Sequence, residues 1–179
     1  MFFSVGHSNR PLEDFLAILK AQDIAALADV RAFPASRRWP HFNREALEGS
    51  LAESGIRYLW IPELGGRRKP QKGTESRHKA WTVDAFRHYA DYADTAEFEQ
   101  GLHKLIDLAS AGATAFMCAE ALYWQCHRRL IADHLLVRGH DVLHIGGRAA
   151  PENHRLTSFA RLVGGEIVYD GGVQMELAK

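Results

Sequence analysis

The sequence predicts an α/β protein, a three-layer sandwich on a mainly parallel central sheet of about five strands with a small C-terminal appendage. Three observations predict it. Short apolar runs alternate with stretches of helical period along most of the chain, as successive βα units do. The run Ala113–Met117, preceded by Gly112, is apolar at nearly every position, as a strand buried on both faces requires. Polar clusters follow the strand-like runs, where the carboxyl edge of a parallel sheet gathers ligand-binding groups.

Taken in order, Phe2–Val5 reads as the first strand. Gly6-His7-Ser8-Asn9-Arg10 ends this apolar opening far short of a secretory or membrane-spanning length, so a cytoplasmic protein without membrane association is expected. Pro11, followed by Glu13 and Asp14, opens a helix with Leu12, Phe15, Leu16 and Leu19 on its apolar face. Ile24–Val30 is the second strand. After a loop through Phe33-Pro34-Ala35-Ser36, Asn43 is placed to cap a helix that uses Leu47 and Leu51 and stops at Gly55. Ile56–Ile61 is the third strand. The stretch Pro62–Trp81 lacks periodicity, has no apolar anchor between Leu64 and Trp81 and is rich in Lys and Arg, so it is expected to be mobile in the free protein and to order at least partly on binding ligand or nucleic acid.

Val83–Tyr92 and Phe98–Ala111 read as helices, with Asp94 or Thr95 capping the second. Ala113–Met117 is the fourth strand, Trp124–Arg138 a helix closed by Gly139, and Asp141–Ile145 the fifth strand. Beyond Gly147 the pattern predicts a short helix near Leu156–Val163. A hairpin of Ile167–Tyr169 with Val173–Leu177 then turns at Asp170-Gly171-Gly172. The expected organisation is one α/β domain over residues 1–147 and an appendage over 148–179 packed on it.

Composition narrows the function classes. Two cysteines in 179 residues argue against a disulfide framework and for a reducing compartment. Formal net charge is zero, so no global field draws the chain to nucleic acid or to an anionic membrane. The charge is uneven, however. Arg31 to Lys79 holds 11 Lys and Arg against 5 Asp and Glu, net +6, whereas Thr82 to Ala111 holds 2 against 6, net −4. The chain has neither a Walker-type loop with its Lys nor a Gly-x-Gly-x-x-Gly turn, which disfavours nucleoside triphosphate hydrolysis and dinucleotide redox chemistry. No cofactor is expected.

The densest chemistry lies between Cys118 and Arg128. Glu120 is a candidate general acid/base, or a nucleophile toward a sugar carbon. Cys118, at a strand end before a helix, is a candidate thiolate nucleophile. His7 and His127 are candidate proton carriers. At about 100° per residue His127 falls on the same arc as Leu130, Ile131, His134 and Leu135 and points toward the sheet. Arg31, Arg37, Arg38 and Arg128 are candidate anion clamps, since a guanidinium fork binds two oxygens at once. Ser8 and the amides after Gly6 can add to them. Asp29, two residues before Arg31 on an extended segment, supports that Arg or the ligand, and Cys126 is assigned to packing. Cys-x7-Cys-His matches no usual zinc spacing, and adjacent Cys126 and His127 would splay about 100° apart on a helix, so no metal is expected.

Several of these residues stand in a familiar order: Gly6-His7-Ser8, Asp29-Val30-Arg31 followed by Pro34 and Ser36, Gly55-Ile56-x-Tyr58, Leu64-Gly65-Gly66, Met117-Cys118-x-Glu120 and Cys126-His127-Arg128. Over roughly Phe2 to Ile145 the chain resembles the domain of unknown function 488 family of bacterial and archaeal proteins. The resemblance implies a compact α/β domain. It places family motifs on His7, Ser8, Asp29, Arg31, Cys118, Glu120, Cys126, His127 and Arg128, and it implies no particular reaction.

These readings lead to an enzyme, hydrolase or transferase, acting on a phosphate-bearing small molecule or nucleotide, with N-glycoside chemistry as one form. The alternative is a nucleic-acid-binding module. It would use the basic, aromatic-interleaved segments Arg37-Arg38-Trp39-Pro40-His41-Phe42 and Arg67-Arg68-Lys69 through Lys79-Ala80-Trp81.

Overall fold

Five strands run parallel in one sheet of order β3-β2-β4-β1-β5: β1 (Phe2–Gly6), β2 (Ala26–Asp29), β3 (Arg57–Trp60), β4 (Thr114–Cys118) and β5 (Val142–Ile145). A sixth, β6 (Glu152–Asn153), pairs antiparallel with β5 at the edge. These features come from a computed structural model that describes residues 1–70, 73, 75–146 and 150–172. The sheet is the mainly parallel one the sequence predicts, with one short strand added.

Because successive strand side chains point to opposite faces, each central strand feeds two cores. Phe2, Ala28, Val30 and Phe116 face one layer, where α3 (Asp84–Ala93), α4 (Ala96–Leu108) and α5 (Arg128–Leu136) supply Tyr89, Leu102 and Leu130. Phe3, Val5, Leu27 and Met117 face the other, where α1 (Leu12–Lys20) and α2 (Arg44–Glu53) supply Phe15, Leu19, Leu47 and Leu51. Burial of each Val, Leu, Met or Phe side chain among them stabilises the fold by about 1.5–3 kcal/mol. The helix ends follow local chemistry. Thr95 Oγ1 accepts from the Phe98 amide at 3.3 Å to start α4, and Gly139, at φ +81°, takes the left-handed position after α5.

The C-terminal region differs from expectation. Leu156–Val163 is not a helix, because Ala160–Val163 forms β7, antiparallel to β8 (Glu166–Tyr169). Gly164 and Gly165 make the turn at φ +60° and +88°, and a two-residue hairpin with both central residues left-handed is what adjacent glycines permit. Ile167–Tyr169 is in a hairpin, as expected, but its partner is the upstream strand. The expected partner, Val173–Leu177, lies outside the described residues. The hairpin shares the main core through Ala160, Ile167 and Tyr169. The buried carboxylate of Asp133 ties it down, accepting from the Thr157 amide and hydroxyl, Tyr169 Oη and His154 Nε2.

The described part of Pro62–Trp81 is anchored where the sequence suggests few anchors. Leu64, Gly65, His78 and Trp81 are buried. Trp81 packs among Phe86, Phe159 and Tyr169, Arg68 stacks 3.5 Å over the Tyr92 ring, and Arg77 pairs with Asp94 at 2.7 Å. Two residues of the aromatic set assigned to base stacking, Phe42 and Trp81, are therefore core residues. Among the described residues no helix is long and apolar enough to cross a membrane.

Candidate functional site

The parallel pairing of β1 with β4 sets Gly6 opposite Cys118, and the ladder runs on past the strand ends. The His7 and Ser8 amides donate to the Cys118 and Ala119 carbonyl oxygens, both at 3.0 Å. The amides that sequence reasoning offered to an anion are thus used within the sheet edge. Gly6 is required for another reason. A Cβ there would stand 2.0 Å from the Glu120 carbonyl oxygen, so only glycine lets the two segments approach this closely.

Past β2, Arg31 folds back on Asp29. Arg31 Nε donates to Asp29 Oδ1 at 2.9 Å, Nη2 donates to Oδ2 at 2.5 Å and to the Phe42 carbonyl at 2.8 Å, and Tyr58 Oη adds a bond to Oδ2. Arg31 Nη1 reaches His7 Nε2 at 3.3 Å. His7 Nδ1 lies 2.9 Å from the Ser8 carbonyl, so Nδ1 carries the hydrogen and Nε2 accepts from Arg31. Burial first, and the Arg31 charge second, push the His7 pKa down to about 4. Arg31 as a two-pronged clamp does not fit this geometry, since its fork grips Asp29 and only Nη1 is left toward the cavities. His7 is a neutral, fixed imidazole stacked 4.1 Å from Phe42.

Cys126 and His127 do not splay apart. Cys126 is extended (φ −132°, ψ 148°) between a 3-10 turn at Tyr123–Gln125 and α5, and His127 is the residue before the helix. The predicted helix over 124–138 is broken there, and the break turns both side chains to one point. His127 Nε2 donates to the Val30 carbonyl at 2.9 Å, which leaves the Nδ1 lone pair 3.5 Å from Cys126 Sγ and 4.0 Å from Cys118 Sγ. The three donor atoms lie within 4.8 Å of one another and could hold a metal ion, contrary to the expectation from spacing. The hydrogen bond with Cys126, then burial, pushes the Cys118 thiol up. Burial opposes charge on Cys126 too, but the bond from Cys118 and the neighbouring His127 and Arg128 hold its thiol below the ordinary value. The sequence assigns Cys126 to packing, and only its place directly before His127-Arg128 hints at more.

Arg128 is buried and its donors are spent on Cys126 Sγ (3.4 Å), Ser4 Oγ (3.1 Å) and the Glu120 and Ala121 carbonyls. It braces the chain beneath Glu120 and is not an anion clamp open to either cavity described next.

Two adjoining cavities open at this edge. One, about 660 Å³, has Cys118, Cys126, His127, Gly66 and Phe86 in its wall. The other, about 500 Å³, is lined by His7, Ser8, Asn9 and Arg38. Arg31, Phe33, Arg67 and Glu120 line both. Glu120 is exposed and accepts from the Leu122 amide at 3.3 Å, which is a rim position. Arg37 lines neither cavity, and its neighbour Arg38 takes that place. Arg67, which sequence reasoning noted only within the basic stretch, lies 5.7 Å over the exposed Phe33 ring. Its distance from the other site residues along the chain hid it.

The family described as Domain of unknown function DUF488 matches residues 11–135, and the chain belongs to that family. No curated protein and no solved structure matches it.

Proposed function

We propose that this member of the domain of unknown function 488 family is an enzyme of the hydrolase or transferase type, acting on a phosphate-bearing small molecule or nucleotide. The observation that carries the reading is the shared wall of the two cavities. It sets Arg67, with Arg38 and Ser8 close by, next to a buried cluster of two thiols and an imidazole. Arg38 and Arg67 stack over Trp39 and Phe33 and keep guanidinium edges for an anion. The exposed face of Phe33 suits a base or another flat group. Cys118, Cys126 and His127 are favoured over Glu120 as the reacting centre, because they are in mutual contact and largely buried at the cavity wall while Glu120 faces solvent.

The test is binding of inorganic phosphate, nucleoside monophosphates and a single-stranded oligonucleotide, followed calorimetrically at two salt concentrations. The reading expects a nucleoside monophosphate to bind and the R38A/R67A variant to bind it at least about tenfold more weakly, as loss of charge-assisted bonds implies. It also expects any turnover found with phosphate esters to be lost in C126S. Tight binding of the oligonucleotide alone, weakening steeply with salt, would favour the nucleic-acid-binding reading.

A further inference from the structure

We infer that Cys118, Cys126 and His127 form a binding site for one thiophilic divalent cation of the zinc class, held by three protein ligands with a fourth position open to the larger cavity. The inference deepens the functional reading above, on which it rests for what the bound ion would do. The site itself stands on geometry.

Distances come first. An ion with a nitrogen ligand at about 2.05 Å and sulfur ligands at about 2.3 Å in tetrahedral array sets its donor atoms roughly 3.6 Å apart. His127 Nδ1 already stands 3.5 Å and 4.0 Å from the two sulfurs, and the sulfurs, within 4.8 Å of each other, need close by no more than about 1 Å to reach that spacing. The orientation of the imidazole is set independently of any ligand. Because Nε2–H is held by the Val30 carbonyl at 2.9 Å, Nδ1 is the atom with the free lone pair, and a backbone carbonyl on the far nitrogen is the usual outer support of a metal-binding histidine.

Two further contacts belong to the same arrangement. Arg128 Nε donates to Cys126 Sγ at 3.4 Å, and the other hydrogen-bond partners of this buried guanidinium are hydroxyl and carbonyl oxygens, so a positive charge stands directly against the sulfur. A Cβ on Gly66 would lie 2.3 Å from His127 Nδ1, so glycine keeps that side of the ring clear. Two sulfurs and an imidazole, with no carboxylate among them, select a soft or borderline ion over magnesium or calcium. Three protein ligands beside a cavity leave room for a water or a substrate oxygen as the fourth. Any thiol still protonated gives its proton to solvent on binding, so affinity rises with pH.

The test uses the full chain, reduced and stripped of metal, titrated with cobalt(II) and then zinc(II). The expected result is one equivalent of cobalt with the absorption of a tetrahedral thiolate site, displaced by zinc, and both thiols shielded from alkylation once zinc is bound. C118S and H127Q should each lower the affinity by about 100-fold or more, and G66A should lower it without removing a ligand. Circular dichroism checks that each variant is folded. No thiolate–cobalt absorption at one equivalent, or equal alkylation with and without zinc, overturns the proposal. So does loss of thiol reactivity that only a reductant restores, which would mark a Cys118–Cys126 disulfide. Nucleoside monophosphate binding is measured on the same preparations. Its presence without metal binding defeats this inference and leaves the functional reading standing, whereas metal binding without it supports the site and defeats that reading.

Discussion

Arg31 Nη2 lies 2.5 Å from Asp29 Oδ2, with both side chains buried, two residues apart at the end of β2. The pair has one site-facing group left, Arg31 Nη1, and it touches His7. Removing one partner of such a pair leaves a buried charge uncompensated. D29N should therefore lose about 3–5 kcal/mol of stability in urea unfolding. Y58F, which removes one bond to the same carboxylate, should lose about 1 kcal/mol.

Glu120 and Arg128 should behave oppositely, although they are eight residues apart and joined by a hydrogen bond. E120Q alters an exposed rim carboxylate and should change stability by less than about 0.5 kcal/mol. R128M strips partners from Ser4 and from the Glu120 and Ala121 carbonyls, and should lower the melting temperature by several degrees, a cost of about 2–4 kcal/mol. Differential scanning calorimetry of the two variants separates rim from brace.

Acid should destabilise the fold through buried histidines. Burial first, with Arg31 beside His7 and Arg138 beside His134, depresses both imidazoles to about 4 from 6.5. Between those values the unfolded chain binds protons that the folded chain does not, so stability is complete above pH 6.5. It falls by about 1.4 kcal/mol per pH unit for each histidine as pH drops toward 4. Urea midpoints across that window measure the slope, and H134Q should flatten it by one histidine's share.

The C-terminal hairpin should detach when its carboxylate anchor is lost. Asp133 is fully buried and accepts from Thr157, Tyr169 and His154, whose Nδ1 in turn lies 2.9 Å from His144 Nε2. D133N removes the charge and turns one acceptor into a donor, costing about 3 kcal/mol or more. Limited proteolysis should then cut near Gly164-Gly165 while α1 and α2 stay protected.

Much of the fold was legible because it depends on local pattern. Apolar runs such as Phe2–Val5 and Ala113–Met117 marked strands, Thr95 and Gly139 marked helix ends, and parallel pairing brings their carboxyl ends to one edge. The C-terminal hairpin among the described residues lies upstream of the expected one, whose second strand, Val173–Leu177, is outside them. Gly164-Gly165 and Asp170-Gly171-Gly172 are both turn signals, and Ala160 and Tyr169 pack the hairpin that turns at the first into the shared core. The residue types of the site were readable, but their roles were not. A guanidinium at Arg31 or Arg128 looks the same in sequence whether it faces a ligand or a buried partner.

By itself the sequence determined the layered α/β class, the strand ends that carry chemistry, and the residue types present there. Periodicity and turn preference act over a few residues, so they survive in a linear reading. Only the tertiary structure decided that Arg31 belongs to Asp29 and Arg128 to the chain under Glu120. It alone also decided that Cys126 turns out of the helix to meet Cys118 and that His127 presents Nδ1 to both sulfurs. Those outcomes depend on contacts such as His127 with Val30, 97 positions apart, where burial leaves each donor one partner to satisfy.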